Sequence, residues 1–233
     1  MTHTLNLDEI DVDGAVREAA EAVAGDTRLG FLKKAGVAGG AMVGTGAVLS
    51  AALAPGALAA GAGGRPPAHP YGTGDVGILN YALTLEYLEA AFYNGATAAK
   101  MALGPQAAVF LQTVTRDENA HVAFLKKALG RKAVKSPSFD FKGANTSPEI
   151  FMKTSQVLEN TGVHAYLGQV LNIKDPEYVK AAGSILTIEA RHASVIGLLV
   201  DPTPESMEPS GSFDTPYAAS KVLAAVRETG FIV

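Results

Sequence analysis

The chain has 233 residues, is 48% apolar and carries a formal net charge of −4. That is the length of one domain or slightly more, with material for a substantial core; the globular part has no basic run, which excludes the footprint of a nucleic-acid binder. Cysteine is absent, so no disulfide, thiolate metal site or cysteine nucleophile exists, and any metal must be held by histidine, carboxylate and water, donors that suit iron, manganese or zinc better than copper(I).

Residues 1–26 are polar and mildly acidic, with a short helical pattern around Val12 to Val23. Thr27-Arg28-Leu29-Gly30-Phe31-Leu32-Lys33-Lys34 follows, then Ala35 to Gly64 without a charge and rich in alanine and glycine. Ala57-Leu58-Ala59 has the small-x-small form of a signal-peptidase site. Residues 1–60 therefore read as an export signal, which puts the mature protein in the periplasm or outside the cell. The segment resembles a twin-arginine signal in Phe31-Leu32-Lys33 and departs from it at Leu29, where the second arginine would stand. The twin-arginine and general secretory routes both stay open. An uncleaved membrane anchor is the alternative, since the stretch is long enough to span; its many small residues favour a signal. Residues 61–74, rich in glycine and proline, read as a flexible linker.

The folded unit, residues 75–200, reads as all-α. The first helix is expected from Val76 to Met101, with Leu79, Ala82, Leu83, Ala90 and Tyr93 on its apolar stripe and Glu86 among them. Gly104-Pro105 breaks the pattern and opens a second helix to Leu129, stopped by Gly130 with Lys126 and Lys127 in its last turn. Lys132 to Thr146 is a long loop. Ser147-Pro148-Glu149 and Asp175-Pro176-Glu177 are start signals for a third helix to about Asn172 and a fourth to about Leu199. Residues 201–233 form a tail broken by Pro202, Pro204 and Pro209, with one short helix expected from Tyr217 to Arg227. No alternating strand pattern of any length occurs.

Two words repeat inside this frame. Glu118-x-x-His121 lies on the stripe of the second helix with Leu111, Val114, Val122 and Leu125, and Glu189-x-x-His192 on that of the fourth with Ala182, Ile185, Ala193 and Ile196. Residues three apart share a helix face, so each pair points at the core, where a charge is costly unless paired or bound to metal. Each pair is preceded by about thirty residues by a glutamate on an apolar stripe, Glu86 and Glu159, and each of those is followed seven residues later, two turns on, by a tyrosine, Tyr93 and Tyr166. The chain reads as two similar helical hairpins, each offering two carboxylates and one imidazole.

Glu, ExxH, Glu, ExxH on successive helices resembles the ligand pattern of the ferritin-like dinuclear carboxylate proteins. Leu85-Glu86-Tyr87-Leu88-Glu89 and Leu158-Glu159-Asn160-Thr161-Gly162 resemble words of the exported ferritin-like proteins labelled desiccation-related. The resemblance implies a ferritin-like up-down four-helix bundle with a dinuclear iron or manganese site. It implies Glu118 and Glu189 as bridging ligands, Glu86 and Glu159 as terminal ones, and one histidine, His121 or His192, on each metal. Open positions would take O2 or peroxide.

Tyr93 and Tyr166 are candidate catalytic groups, as hydrogen-bond donors to a ligand or as radical carriers; the plainer reading is a core tyrosine with a satisfied hydroxyl. Glu89 lies within one turn of Glu86 and could replace it as a ligand, but it lacks a tyrosine at plus seven and is expected to face water. His164, off the face of Glu159, is expected at the surface, and His69 and His3 fall in linker and leader. Asp117 and Asn119 both qualify as outer partners of the histidines. Arg116 and Arg191 are expected at the bundle surface. Two function classes follow: an envelope redox protein oxidising ferrous iron or removing peroxide, of the ferroxidase or catalase type, or a non-enzymatic stress-protective module with a structural metal site. The expected partners are metal ions with O2 or peroxide, and a second copy of the chain in a homo-oligomer; nucleic acid is not expected, and a membrane only through an uncleaved anchor.

Overall fold

A computed structural model describes Pro67 and residues 71–233; the expected export signal and nine of the fourteen residues of the expected linker, with His3 and His69, lie outside the described residues. Four long helices make the body: α1 (Gly74–Ala99), α2 (Pro105–Leu129), α3 (Pro148–Gln169) and α4 (Pro176–Val200). A short α5 (Pro204–Met207), not expected from the sequence, and α6 (Ala219–Thr229) follow. The described residues contain no strand, only an isolated antiparallel bridge between Phe139 and Ile232.

Local chemistry sets the helix ends. Pro105, Pro148 and Pro176 each stand at a helix start, where a missing N–H costs nothing. The Asp175 side chain accepts from Glu177 N–H at 2.9 Å and caps α4. Ser147 has the extended backbone of a cap but gives no side-chain bond, so Pro148 and Glu149 carry that start alone. α1 stops before the expected Met101 because Lys100 takes a left-handed conformation, φ 50°, with its N–H on Thr97 O. α6 begins two residues after the expected Tyr217, whose N–H bonds His164 O at 3.0 Å.

α1 pairs with α2 and α3 with α4 as two hairpins, and they meet through α1 on α3 and α2 on α4. Cross-helix contacts give the directions. Tyr93 meets Glu159 while Tyr166 meets Glu86, so α1 and α3 are antiparallel. His192 meets Asp117 and His121 meets Glu189, so α2 and α4 are antiparallel as well. Each hairpin is up-down, and α2 therefore runs parallel to α3. Residues 130–147 make the crossover this requires, returning along the bundle to the end where Phe141 and Phe151 pack on Phe92. Asn80 fixes the start of that crossover, donating to Lys132 O and accepting from Val134 N–H.

Two apolar layers result. One holds Phe92, Tyr93, Phe110, Val114, Phe141 and Phe151 with Val222 of α6; the other holds Ile78, Leu83, Leu125, Leu129, Tyr166 and Ile185. The carboxylates lie between them. α4 is apolar and long enough to cross a membrane by composition, yet its buried face carries Glu189 and His192 into the bundle.

Candidate metal centre

Each hairpin brings its residues to the same level. Glu86, Glu118, Glu159 and Glu189 are all 0% exposed, and His121 and His192 are buried beside them. His121 Nδ1 stands 3.2 Å from Glu86 Oε2, 3.1 Å from Glu118 Oε2 and 3.4 Å from Glu189 Oε1. His192 Nδ1 stands 3.2 Å from both Glu118 Oε1 and Glu159 Oε2. Two quartets emerge, Glu86–Glu118–His121–Glu189 and Glu118–Glu159–Glu189–His192, each with its donor atoms within 4.8 Å of one another. They share Glu118 and Glu189.

The donor set fits metal ions. Glu118 Oε1 and both oxygens of Glu189 are buried without a hydrogen bond; the approach of His192 to Glu118 Oε1 is close but poorly aligned. Buried carboxylate oxygens without donors are costly unless protonated or bound to a cation. Protons hold the metal-free cluster together. Burial, then the neighbouring Glu86 charge, raises the Glu118 carboxyl to about 7. Burial and the Glu118 charge push Glu189 far up. Burial alone would lower both imidazoles, but the carboxylates around them win, raising His192 to about 11 and His121 further. Glu86 ends below its ordinary value, because the bond and charge of His121 outweigh burial.

The tyrosines cross over. Tyr93 donates to Glu159 and Tyr166 to Glu86, each to the glutamate of the other hairpin, as the antiparallel crossing of α1 and α3 dictates. Burial and the facing carboxylate hold both phenols in their protonated form.

Of the two candidate outer partners, Asp117 is the one that reaches a histidine: its Oδ2 lies 3.2 Å from His192 Nε2, and its Oδ1 is held by Arg116 at 2.8 Å. Asn119 instead exchanges amide hydrogen bonds with Asn94 at the surface. His164 stacks on Tyr217 with ring centroids 4.2 Å apart and bonds Thr215 O, away from the cluster. Arg191 is exposed.

Glu89 corrects the sequence reading. It was expected in water and is 3% exposed. It lies one turn beyond Glu86, and α3 makes room for it with Gly162. A Cβ at Gly162 would stand 2.6 Å from Glu189 Oε2 and 3.5 Å from Glu89 Oε1. Burial, followed by the charges of the other four glutamates of the cluster, pushes the Glu89 carboxyl far above its ordinary value. Its spacing of three from Glu86 was the available signal.

A groove of about 550 Å³ runs between α2 and α4, walled by Val109, Phe110, Ile188, Arg191, Asp117 and His192. It brings solvent to the outer edge of the Asp117–His192 pair.

Fold and site together define a class: four-helix bundles in which paired ExxH helices and two flanking glutamates enclose a metal-binding cluster. The family model described as a ferritin-like domain matches residues 74–201. The chain belongs to the ferritin-like family. No curated protein matches it.

Proposed function

We propose that the cluster binds two divalent ions, iron or manganese, and that the protein oxidises ferrous iron or removes peroxide in the cell envelope. The observation that carries this is the pair of ligand quartets sharing Glu118 and Glu189, whose free oxygens are where two adjacent cations would be bridged. Four carboxylates balance two divalent charges, and loading expels the protons that the metal-free cluster retains. A bound iron or manganese pair supplies the electron exchange with O2 or peroxide.

The protein's own groups hold and shield. Tyr93 and Tyr166 fix the outer carboxylates, and as the phenols bonded to them they are the candidate catalytic side chains. Asp117 fixes His192 with Nδ1 toward the cluster. The apolar layers above and below exclude bulk water, and the α2–α4 groove is the route for small solutes. The charge-free Ala35 to Gly64 and the small-residue motif at Ala57 support export, in the manner of the exported, desiccation-related ferritin-like proteins that the sequence resembles.

The test is turnover. Protein loaded with Fe(II) under argon and then given O2 should form ferric species faster than free Fe(II), or Mn(II)-loaded protein should consume hydrogen peroxide; Glu118→Ala should do neither. Loaded parent protein no faster than free metal in both assays would reject the redox reading. For export, the N-terminus of the isolated protein should lie near Ala60, whereas an intact Met1 in the membrane fraction would favour the anchor.

A further inference from the structure

The two hairpins are alike in their ligands and unlike in two acids. Each acid has a counterpart fixed by the repeat. Asp117 immediately precedes the first ExxH, and Ile188 immediately precedes the second. Glu89 follows Glu86 by three residues, and Gly162 follows Glu159 by three. Ile188 cannot accept a hydrogen bond, and Gly162 has no side chain.

Asp117 serves one side. Asp117 crosses from α2 to the Nε2 of His192, whereas His121 Nε2 makes no hydrogen bond to the described residues. Arg116 holds Asp117 Oδ1 and so leaves Oδ2 for the imidazole. Glu189 turns Oε1 toward His121 and Oε2 toward Gly162, over which Glu89 Oε1 also lies. That places the Glu89 carboxyl one turn from Glu86 along α1 and opposite the residue one turn from Glu159 along α3.

We infer that the two metal positions are unequal: the one at Glu159 and His192 binds first and tighter, with Asp117 as the positioning residue behind His192. The reason is physical. A carboxylate accepting the outer N–H fixes the tautomer, aims Nδ1 inward and makes it more basic, and losing such a partner costs about 10–100-fold in metal affinity. The inference rests on the two-ion reading above.

Metal-free full-length protein given one equivalent of Co(II) and crystallised should show an anomalous peak at the Glu159–His192 position. Titration calorimetry with Co(II) should resolve two steps. Asp117→Ile, which installs the counterpart residue, should weaken the tighter step by about tenfold and leave the weaker step in place. Asp117→Asn, which keeps an acceptor for the Nε2 proton, should recover part of the loss. A first peak at Glu86–His121, or equal occupancy of both positions, would overturn the inference while leaving the two-ion reading intact. Absence of any bound Co(II) would overturn both. Circular dichroism of each metal-free variant separates lost affinity from lost fold, and the parent's peak decides the matter if a variant does not fold.

Discussion

Hairpin α1–α2 and hairpin α3–α4 present the same three side chains, two glutamates and a histidine, at the same level, yet the first carries two buried or half-buried acids, Glu89 and Asp117, that the second replaces with Gly162 and Ile188. The shared plan makes a closed cluster from two half-sites, neither of which has enough donors alone. The departures decide how the halves differ in charge and in histidine support. Gly162 is part of that difference, because its missing side chain creates the space in which Glu89 and Glu189 meet.

The largest effect is expected from removing what both quartets share. Glu118→Ala should abolish stable loading and with it the linkage stabilisation, about 2.7 kcal/mol when metal is at a hundred times its dissociation constant. The metal-free variant should melt no lower than the metal-free parent, because one of the crowded carboxyls has gone. Melting curves with and without Mn(II) check both halves. A Glu118→Ala protein stabilised by Mn(II) as strongly as the parent would break the shared-bridge account.

Acidity comes next. The Glu118 carboxyl is raised from 4.5 to about 7 in the folded state, so the metal-free fold binds an extra proton between those values and loses stability as pH rises through them. His192, raised from 6.5 to about 11, contributes stability that is complete below its unfolded value and lost as pH climbs toward 11. Glu86 is lowered and works the other way, losing its contribution as pH falls. The metal-free protein should therefore melt lower at pH 8 than at pH 5.5. Mn(II) should stabilise more at pH 8, because binding displaces protons. A metal-free melting temperature that rises over this range would contradict the protonated cluster.

A glycine pair sharpens the comparison between a site position and an ordinary helical one. Gly162→Ala should cost about 1–3 kcal/mol by overpacking and should reduce metal content, since the new Cβ meets the Glu189 carboxylate of the cluster. Gly183→Ala, where nothing stands within 4 Å of the added atom, should gain up to about 1 kcal/mol of helix propensity. Equal effects in thermal melts would deny the close packing at Gly162.

The smallest effects belong to the tyrosines. Tyr93→Phe and Tyr166→Phe should each cost about 1 kcal/mol, the net worth of a hydrogen bond, with metal retained. A loss of all bound metal in either would make that phenol essential to the ligand set.

Much of this was legible before any coordinates. The ExxH words were readable because a charged pair on an apolar stripe needs a reason, and a second copy on another stripe supplied one. Glu89 was not readable, because α1 is buried on nearly every side and its periodicity cannot separate a residue facing the cluster from one facing water. Its place depends on Gly162, a residue of another helix. Asp117 and Asn119 flank the same glutamate, and only the antiparallel crossing of α2 with α4 decides which of them meets His192. The crossover of residues 130–147 read as a loop, but its course along the bundle follows from tertiary packing of Phe139 and Phe141 rather than from any local signal.

The central claim is that four glutamates and two histidines form a dinuclear metal centre, and the most direct test is elemental analysis of the protein isolated from its own compartment, normalised to amino-acid content. The account predicts about two ions of iron, manganese or both per chain, as a cluster of this class requires. Protein with all six side chains intact and no iron or manganese above background, before or after incubation with Fe(II) and Mn(II), would contradict it.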